Sequence, residues 1–481
     1  MRTFRKLVVI KAVSAPCSAG LLWAGCCLKP SEGPRMKLIA TILCAAVLAL
    51  LTAGVAGPAR AAGGGSSGGG TGGSGGSGGD PELPGEILVK LRSADALPGL
   101  LVRQSLTLVD RFGARPIYRL KVVGGARVKD VLTRLALEPD VLIAESNLIH
   151  RSPEARRNVP WAIGSASAYV AQWAPQAMNL ASAQSLTRGA GIRVAVLDTG
   201  VDAAHPLLAG RVLPGRDFVD GDNDPSEVFS FTIGAFGHGT HVAGLVATVA
   251  PEARIMPLRV LDTNGVGNAW VLAEAILYAV DPDGDPATDD GAHVINLSLG
   301  SLGRTRLMDS IAQIAGCLPP VPDDPVGDRS DPGYRDDEIR CSSGRGALVV
   351  AAAGNDASAA VKEYPAAESA YGLLSVAASS ASGRLAAFSN VGPWIDLAAP
   401  GEGVTSSMPG GWWATWSGTS MAAPLVAGTA ALVRSANPAL PPGDVATRLK
   451  RTAAVLCGTN LRQVDAYAAV ANVQPPSSSC K

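Results

Sequence analysis

Three short motifs, far apart in the chain, each carry one reactive side chain, and together they constrain the fold more than any other feature. They read VAVLDTG, GHGTHVAG and SGTSMAAP, and they contain Asp198, His238 and Ser420. A serine hydroxyl is a weak nucleophile at neutral pH, so acyl transfer by serine needs an imidazole to take its proton and a carboxylate to orient that imidazole. The motifs therefore predict an acid, a base and a nucleophile that the fold must bring together.

Each residue alone has a simpler explanation. Asp198 fits a turn at the end of a strand, and Ser420 fits the N-cap of a helix. His241, three residues after His238, and His205 are interpreted as structural histidines. A zinc site at His238 and His241 is disfavoured because the pair lacks the Glu and the four-residue spacing of the zinc-protease helix motif.

A fourth motif, VVAAAGND, places Asn355 at the end of another apolar run. With four motifs in the order Asp, His, Asn and Ser, the chain resembles the subtilisin-like serine proteases, or subtilases. That order differs from the orders found in chymotrypsin-like and α/β-hydrolase enzymes. The resemblance implies peptide-bond hydrolysis through an acyl-enzyme on Ser420, with the Asn355 side chain donating to the oxyanion.

The resemblance also assigns residues to substrate binding. Ser298, Leu299 and Gly300 match the strand that pairs with an extended substrate. Glu363 precedes a Tyr-Pro pair and, by the same resemblance, lies near the base of the primary pocket. A carboxylate there predicts a preference for Arg or Lys immediately before the cleaved bond. The alternative is that Glu363 faces solvent on a surface loop.

The chain has 481 residues and 47% apolar content, enough for a large core. From residue 172 onward, apolar strands alternate with helices, which predicts an α/β domain over 172–481 with a mainly parallel sheet and helices on both faces. A long apolar helix is expected to follow Ser420. The clearest strands are 192–197, 254–260, 294–299, 347–352 and 373–377.

Residues 81–152 predict a small α+β unit ahead of a junction at 153–171. Strands are expected at 85–91, 117–122 and 141–145, with a helix at 128–137. The unit resembles the subtilase propeptide, which implies a folding chaperone and an inhibitor of the protein's own active site. An unrelated small domain is the alternative.

The first 80 residues are read as targeting and linker sequence. Met36 and Lys37 precede an apolar run and then small residues at 59–62, which predicts a signal peptide over 36–61. Residues 1–35 are then a mis-assigned start, and the Gly/Ser-rich stretch 62–80 is a flexible linker. The chain is expected to be secreted, extracellular or periplasmic, with no membrane association after cleavage. A long export signal or a retained anchor is the alternative.

Export favours disulfides, and the four cysteines after the signal allow three pairings. We favour Cys317 with Cys341 and Cys457 with Cys480, since each closes one local loop; a zinc site is the weaker alternative. Lys plus Arg equals Asp plus Glu, 41 each, so no overall charge favours nucleic acid. No cofactor is required, although the oxygen-rich stretch 281–285 is a possible calcium loop without the terminal Glu of an EF-hand.

Two functions follow from these features. The favoured one is a monomeric, secreted endopeptidase that cleaves polypeptides and is made as a self-processed zymogen. The other is a subtilase fold kept as a binding or self-processing module, held shut by its own propeptide. An intact set of four reactive residues favours the enzyme, because a scaffold has no physical need of all four.

Overall fold

The computed structural model describes residues 81–475 apart from 114, 158, 230–234, 286–287, 317–345, 369 and 371. The described residues belong to one compact unit, Ser77–Lys481. The expected mis-assigned start, signal peptide and linker lie outside the described residues. Of the four cysteines in the expected disulfides, only Cys457 is described, so both pairings stay predictions.

The N-terminal part of the unit is a small α+β module. Its elements are β1 (Glu82–Leu91), α1 (Leu97–Gln104), β2 (Leu106–Arg111), β3 (Ile117–Val122), α2 (Val128–Leu135) and β4 (Val141–Arg151). β1 is central and pairs antiparallel with β3 and with β4. Val131 and Leu135, four residues apart on α2, bury their side chains in the same core as Leu120 of β3.

The sequence predicts most of this module but not α1 or β2. Five of the six residues of β2 are exposed, so the strand lacks the alternation that marks a half-buried strand. α1 begins Leu-Pro-Gly, which has low helix propensity. The expected strand 141–145 is also longer, since β4 continues to Arg151.

The rest of the unit is an α/β domain, in which several strands are very short. Its strands are β5 (Ala162–Ile163), β6 (Arg193–Asp198), β7 (Arg216–Asp217), β8 (Arg254–Arg259), β9 (Val266–Asn268), β10 (Val294–Leu297), β11 (Leu348–Ala352), β12 (Leu373–Ser379), β13 (Leu397–Pro400), β14 (Val404–Met408), β15 (Trp412–Trp416), β16 (Ala454–Val455) and β17 (Arg462–Gln463). Its helices are α3 (Pro153–Arg157), α4 (Ala166–Ala171), α5 (Ala174–Ala177), α6 (Leu180–Leu186), α7 (His238–Val249), α8 (Ala269–Val280), α9 (Arg306–Ala315), α10 (Thr419–Ala436), α11 (Pro442–Arg451) and α12 (Ala466–Ala471).

The main sheet has nine strands in the order β16-β17-β13-β12-β11-β10-β6-β8-β7. Neighbouring strands are parallel except β16 and β17. The five clearest predicted strands are β6, β8, β10, β11 and β12. A mainly parallel sheet is therefore confirmed.

Helices cover both faces of the sheet, and strand β6 shows why the sequence requires this. Val194 and Val196 pack in one core cluster with α7 and α10, whereas Ala195 and Leu197 pack in another with α8 and α9. A strand with apolar side chains on both sides can only be stable between two layers. The expected layer arrangement is confirmed.

The carboxyl ends of the central strands carry the predicted reactive residues. β6 ends at Asp198, β10 leads into Ser298, and β11 is followed shortly by Asn355. His238 opens α7 and Ser420 is the second residue of α10, two helices that pack together on the same face. In open α/β sheets, ligands bind at this edge.

Within the residues that the structure describes, no helix combines the length and the apolar character needed to cross a lipid bilayer.

Candidate active site

Asp198 and His238 meet at the junction of β6 and α7. The Nδ1 atom of His238 lies 2.7 Å from Oδ1 of Asp198, which also accepts a hydrogen bond from the backbone N–H of Thr199 at 2.8 Å. Both side chains are buried. An aspartate in this position orients the imidazole and stabilises its protonated form.

Ser420 is held at the start of α10 by its neighbours across the sheet edge. The Ser298 hydroxyl donates to the backbone carbonyl of Ser420 at 2.9 Å and in turn accepts from the Asn296 amide at 3.0 Å. The Oγ atom of Ser420 lies 3.3 Å from the carbonyl oxygen of Ser298. The first turn of α10 is therefore fixed against β10.

The Asn355 side chain is oriented by the residue next to Ser420. Its Oδ1 atom accepts hydrogen bonds from the backbone N–H of Thr419 at 2.9 Å and from the Thr419 hydroxyl at 3.0 Å. With the oxygen occupied in this way, the Nδ2 amide group is left as a donor, and it donates to the carboxylate of Glu154.

A residue that the sequence does not predict, Glu154 of α3, lies at the centre of these groups. Its Oε2 atom accepts from the Ser420 hydroxyl at 2.5 Å and lies 3.0 Å from Nε2 of His238. Its Oε1 atom accepts from Nδ2 of Asn355 at 2.7 Å. The residue is 1% exposed. One carboxylate thus contacts all three groups that face the site.

The charges in the site shift the pKa values of His238 and Glu154. Burial alone lowers the pKa of His238, but Asp198 and Glu154 together outweigh burial and raise it to about 10. Burial raises the pKa of Glu154. The hydrogen bond and charge of His238, and then the hydrogen bonds from Ser420 and Asn355, outweigh burial and leave that pKa below its usual value. The pair is therefore an imidazolium and a carboxylate.

The chain that delivers Glu154 runs through the site as an added strand. β4 pairs antiparallel with β9 over Ile149–Arg151, and the backbone of Arg151 exchanges two hydrogen bonds with Gly300, at 2.8 and 2.9 Å. The backbone N–H of Ser152 donates to Gly265 at 3.1 Å. β4 thus lies between two segments of the α/β domain before the chain turns into α3.

Glu363 lies in the same site, buried beside Gly300. It is fully buried, so the solvent-facing alternative is wrong. The guanidinium of Arg156 binds both of its carboxylate oxygens, at 2.7 and 2.8 Å, and donates to the carbonyl of Gly300 at 3.1 Å. Such a two-pronged pair is specific for the planar guanidinium group. The neighbouring Arg157 pairs with Asp356 at 2.6 Å.

The two histidines interpreted as structural, His241 and His205, have partners in the β14–β15 hairpin. Nε2 of His241 lies 3.1 Å from the carbonyl oxygen of Ala414 in β15, and burial, with His238 nearby, lowers the pKa of His241 to about 3. Nε2 of His205 lies 2.9 Å from the carbonyl oxygen of Trp412. Both imidazoles connect the domain to the β14–β15 hairpin.

Three acidic side chains do lie close together at the expected calcium loop, but one of them differs from the residues that the sequence suggests. Asp281, Asp283 and Asp290 each place one carboxylate atom within 4.8 Å of the others. The sequence pattern included Asp285 instead of Asp290, because only the contiguous stretch 281–285 is visible in a linear motif.

Two acidic residues in or beside the site have no motif of their own. Glu154 lies in the expected junction, and the only local signal is an acidic residue among Arg151, Arg156 and Arg157. Glu227 binds the backbone N–H of Gly237, directly before His238, at 2.8 Å. Neither position could be assigned without the long-range contacts.

Comparison with known proteins agrees with this geometry. A family model described as the subtilase family matches residues 189–474. The thermophilic serine proteinase of Bacillus sp. (strain AK1) is 35% identical over 328 residues, covering 66% of this chain and 69% of the relative. Thermitase of Thermoactinomyces vulgaris is 34% identical over 314 residues, covering 62% of this chain and 95% of thermitase.

The solved structure of fervidolysin from Fervidobacterium pennivorans, a keratinolytic enzyme related to subtilisin, matches with a TM-score of 0.62 at 23% identity. The match covers 83% of this chain and 62% of fervidolysin, and it shows the fold. A protease from Pseudoalteromonas arctica PAMC 21717 matches with a TM-score of 0.50 at 32% identity, covering 61% of this chain and 94% of that one. The chain therefore belongs to the subtilase family and is a subtilisin-like serine endopeptidase.

Proposed function

We propose that this endopeptidase is secreted and made as a latent precursor, with Asp198, His238 and Ser420 as its catalytic residues. The observation that carries the proposal is that Glu154 contacts Ser420, His238 and Asn355 at once. Groups that converge on one carboxylate also converge on the place where a scissile carbonyl would lie. The predicted signal peptide at 36–61 supports secretion.

The reaction follows from these positions. Ser420 Oγ attacks the scissile carbonyl carbon while its proton passes to Nε2 of His238, and Asp198 stabilises the resulting imidazolium. Nδ2 of Asn355 donates to the oxyanion that forms. When the carbon–nitrogen bond breaks, His238 returns the proton to the leaving amine. Water then attacks the acyl-enzyme by the same route and releases the second product.

Glu154 explains how the precursor stays latent. Its Oε1 atom stands in for the oxyanion of a substrate, because it accepts from Asn355. Its Oε2 atom takes the hydrogen bond of Ser420 and contacts Nε2 of His238. The serine therefore donates to a carboxylate and is not activated by the imidazole. The module 81–152, together with the adjoining junction segment that carries Glu154, acts in this way as an inhibitor in cis.

The path of β4 supports a proposal for how a substrate binds. An extended peptide would lie between β9 and Gly300, using the backbone hydrogen bonds that Arg151 now makes. Ser298 contributes its carbonyl beside Ser420, and Leu299 has a buried side chain and so offers only its backbone. Polypeptides of varied sequence would share this mode of binding.

Glu363 supports a preference for Arg or Lys immediately before the cleaved bond. A buried carboxylate is costly unless it is paired, and in the precursor Arg156 pairs it with two hydrogen bonds. Once the segment that holds Arg156 leaves, a basic substrate side chain restores the pair. The Arg156 contact supports a pocket that accepts a guanidinium.

Self-processing is tested by Ser420→Ala, expressed alone in a protease-deficient host. We expect the variant to accumulate as the uncleaved precursor, because the nucleophile that would remove the module is absent. Ser435→Ala, on the same helix with its hydroxyl bound to the carbonyl of Ala190, is the matched control and should mature normally. Maturation of Ser420→Ala at the wild-type bond would contradict self-processing.

A further inference from the structure

Glu227 joins the two segments that carry the acid and the base of the proposed triad. Its Oε1 atom accepts from the Thr199 hydroxyl at 2.6 Å and from the backbone N–H of Gly237 at 2.8 Å. Its Oε2 atom accepts from the Thr240 hydroxyl at 2.9 Å. Thr199 directly follows Asp198, and Gly237 directly precedes His238. We infer that Glu227 is a positioning residue that sets Asp198 against His238.

The same contacts continue to the catalytic atoms. The Thr199 hydroxyl, while donating to Glu227, accepts from the backbone N–H of Gly239 at 3.0 Å. The backbone N–H of Thr199 donates to Oδ1 of Asp198, the atom that contacts His238. A displacement of Thr199 therefore moves the carboxylate that orients the imidazole.

The end of β6 and the start of α7 are packed so closely that no side chain of either segment fits between them. A Cβ atom at Gly239 would lie 2.2 Å from the carbonyl oxygen of Gly200, so the two backbones are in direct contact. Gly237, at the N-cap of α7, is in a left-handed conformation with φ of 81° and has no side chain to cap the helix. Glu227, ten residues earlier in the chain, supplies the missing acceptor, and a carboxylate is favoured at a helix N-terminus.

The role of Glu227 is distinct from that of Asp198. Glu227 contacts neither His238 nor Ser420 through a hydrogen bond of its own side chain; it acts on the residues beside Asp198 and His238. Burial, then the nearby charge of Asp198, raise the pKa of Glu227 to about 7 against the opposing effect of its hydrogen bonds. This inference rests on the proposed catalytic roles of Asp198 and His238.

The test compares Glu227→Ala and Glu227→Gln with wild type as matured enzymes on a peptide substrate. Active sites are first counted with a fluorophosphonate, so that kcat is expressed per functional site. Glu252→Gln, a half-exposed carboxylate paired with Arg188 on the surface, is the matched control. Thermal unfolding of each variant is recorded in parallel.

We expect Glu227→Ala to lower kcat per titrated site by about 10- to 100-fold, the loss that a small misplacement of catalytic groups produces, with KM within about twofold of wild type. Glu227→Gln keeps the shape and an oxygen acceptor, so it should fall between Ala and wild type. If Glu227→Ala fails to mature, Glu227→Gln alone must still show a lowered kcat with KM unchanged.

The inference would be overturned if the Glu227 variants that mature have an unchanged kcat per titrated site. This holds even if they unfold at lower temperature, because stability alone would then explain the contacts of Glu227. A wild-type protein that neither labels nor cleaves would instead contradict the proposed catalytic roles. The two failures are therefore distinguishable.

Discussion

Single residues account for the proposed latency of the precursor. Glu154 and His238 form a buried ion pair in the place where a substrate carbonyl would lie, and Arg156 occupies the pocket of Glu363. Both contacts involve charges that are costly to bury singly, so each partner depends on the other. A substrate could enter only after the Glu154–His238 and Arg156–Glu363 contacts are broken.

The Glu154–His238 pair predicts that self-maturation accelerates with rising pH. Against the effect of burial, Asp198 and then Glu154 raise the pKa of His238 from 6.5 to about 10, and only the part due to Glu154 belongs to the latent form. That part is present while His238 is protonated and is lost as pH rises toward 10. The pKa of Glu154 is lowered from 4.5, so its contribution is present above pH 4.5 and is lost only in more acidic solution. The Glu154–His238 pair therefore stabilises the proposed latent form most in neutral to mildly acidic solution and least as pH approaches 10.

The measurement is the rate of precursor cleavage from pH 6 to pH 10, divided at each pH by kcat/KM of the mature enzyme. We expect the ratio to rise with pH. Glu154→Gln should mature faster at pH 6, by about 10-fold or more, since hydrogen bonds to charged groups contribute about 1.5–3 kcal/mol. A flat ratio, together with a Glu154→Gln precursor that matures no faster than wild type, would refute this account of latency.

Glu363 predicts the substrate preference of the mature enzyme. On peptides that differ only in the residue before the cleaved bond, Arg should give a kcat/KM at least about 10-fold above Leu or Phe, as a charge-assisted bidentate contact implies. Glu363→Gln should remove this advantage, whereas Glu402→Gln, at an exposed position, should preserve it. A preference for Leu or Phe, or one that Glu363→Gln leaves unchanged, would rule out the pocket assignment.

Residues in motifs could be located from sequence, whereas residues defined by long-range contacts could not. Asp198 and Ser420 each sit in a short motif next to an apolar run, so their positions at strand and helix ends follow from local pattern. Glu154 contacts Ser420 across 266 positions in the chain, and no local pattern encodes that contact. The role of Glu227 could not be predicted from the sequence either, because its partners lie in two motifs to which it does not belong.

At the level of elements, strand β4 has two roles. Its first half completes the sheet of the N-terminal module by pairing with β1, and its second half pairs with β9 of the α/β domain. Its expected end at residue 145 follows the module's own hydrophobic pattern. The extension to Arg151 has no such pattern, because its partner strand comes from the other domain.

Strands buried on both faces were the most predictable elements. β6 contains four consecutive apolar residues and β11 is apolar throughout, and such runs require cover on both sides. The exposed strand β2 and the five-residue helix α3 have no comparable signal. Helix α3 exists where its side chains can reach Ser420 and Glu363, so tertiary contacts rather than local propensity account for it.

The packing of α7 against α10 depends on a glycine. A Cβ atom at Gly428 would lie 2.6 Å from Cβ of Val249 and 3.3 Å from the carbonyl oxygen of Val246. Gly428→Ala should therefore destabilise the fold by about 1–3 kcal/mol, the usual cost of overpacking a core. Gly99→Ala is the matched control, because on α1 its Cβ would approach only the flexible end of Arg103.

Thermal unfolding of both variants in a Ser420→Ala background, which prevents self-cleavage, checks this prediction. Gly428→Ala should unfold at a lower temperature than its parent, and Gly99→Ala at the same or a higher one. Equal unfolding temperatures for Gly428→Ala and its parent would mean that the two helices can separate without cost.

At the scale of the whole molecule, the module and the α/β domain form one compact unit in which the module closes the candidate active site. The module's β4 lies along the substrate path, and α3 places one carboxylate among the reactive groups. In the proposed function, latency is thus a property of the continuous chain. Cleavage of that chain would leave the nucleophile, the base and the oxyanion donor free to meet a substrate.

The most direct test of the central claim is fluorophosphonate labelling of the mature protein, with the labelled residue located by mass spectrometry. We predict stoichiometric labelling at Ser420, no labelling of Ser420→Ala, and loss of peptidase activity in parallel with labelling. Peptidase activity in Ser420→Ala, or label on another residue, would contradict the proposed triad. A wild-type protein that binds peptides without labelling or cleaving them would instead support the alternative of a binding module.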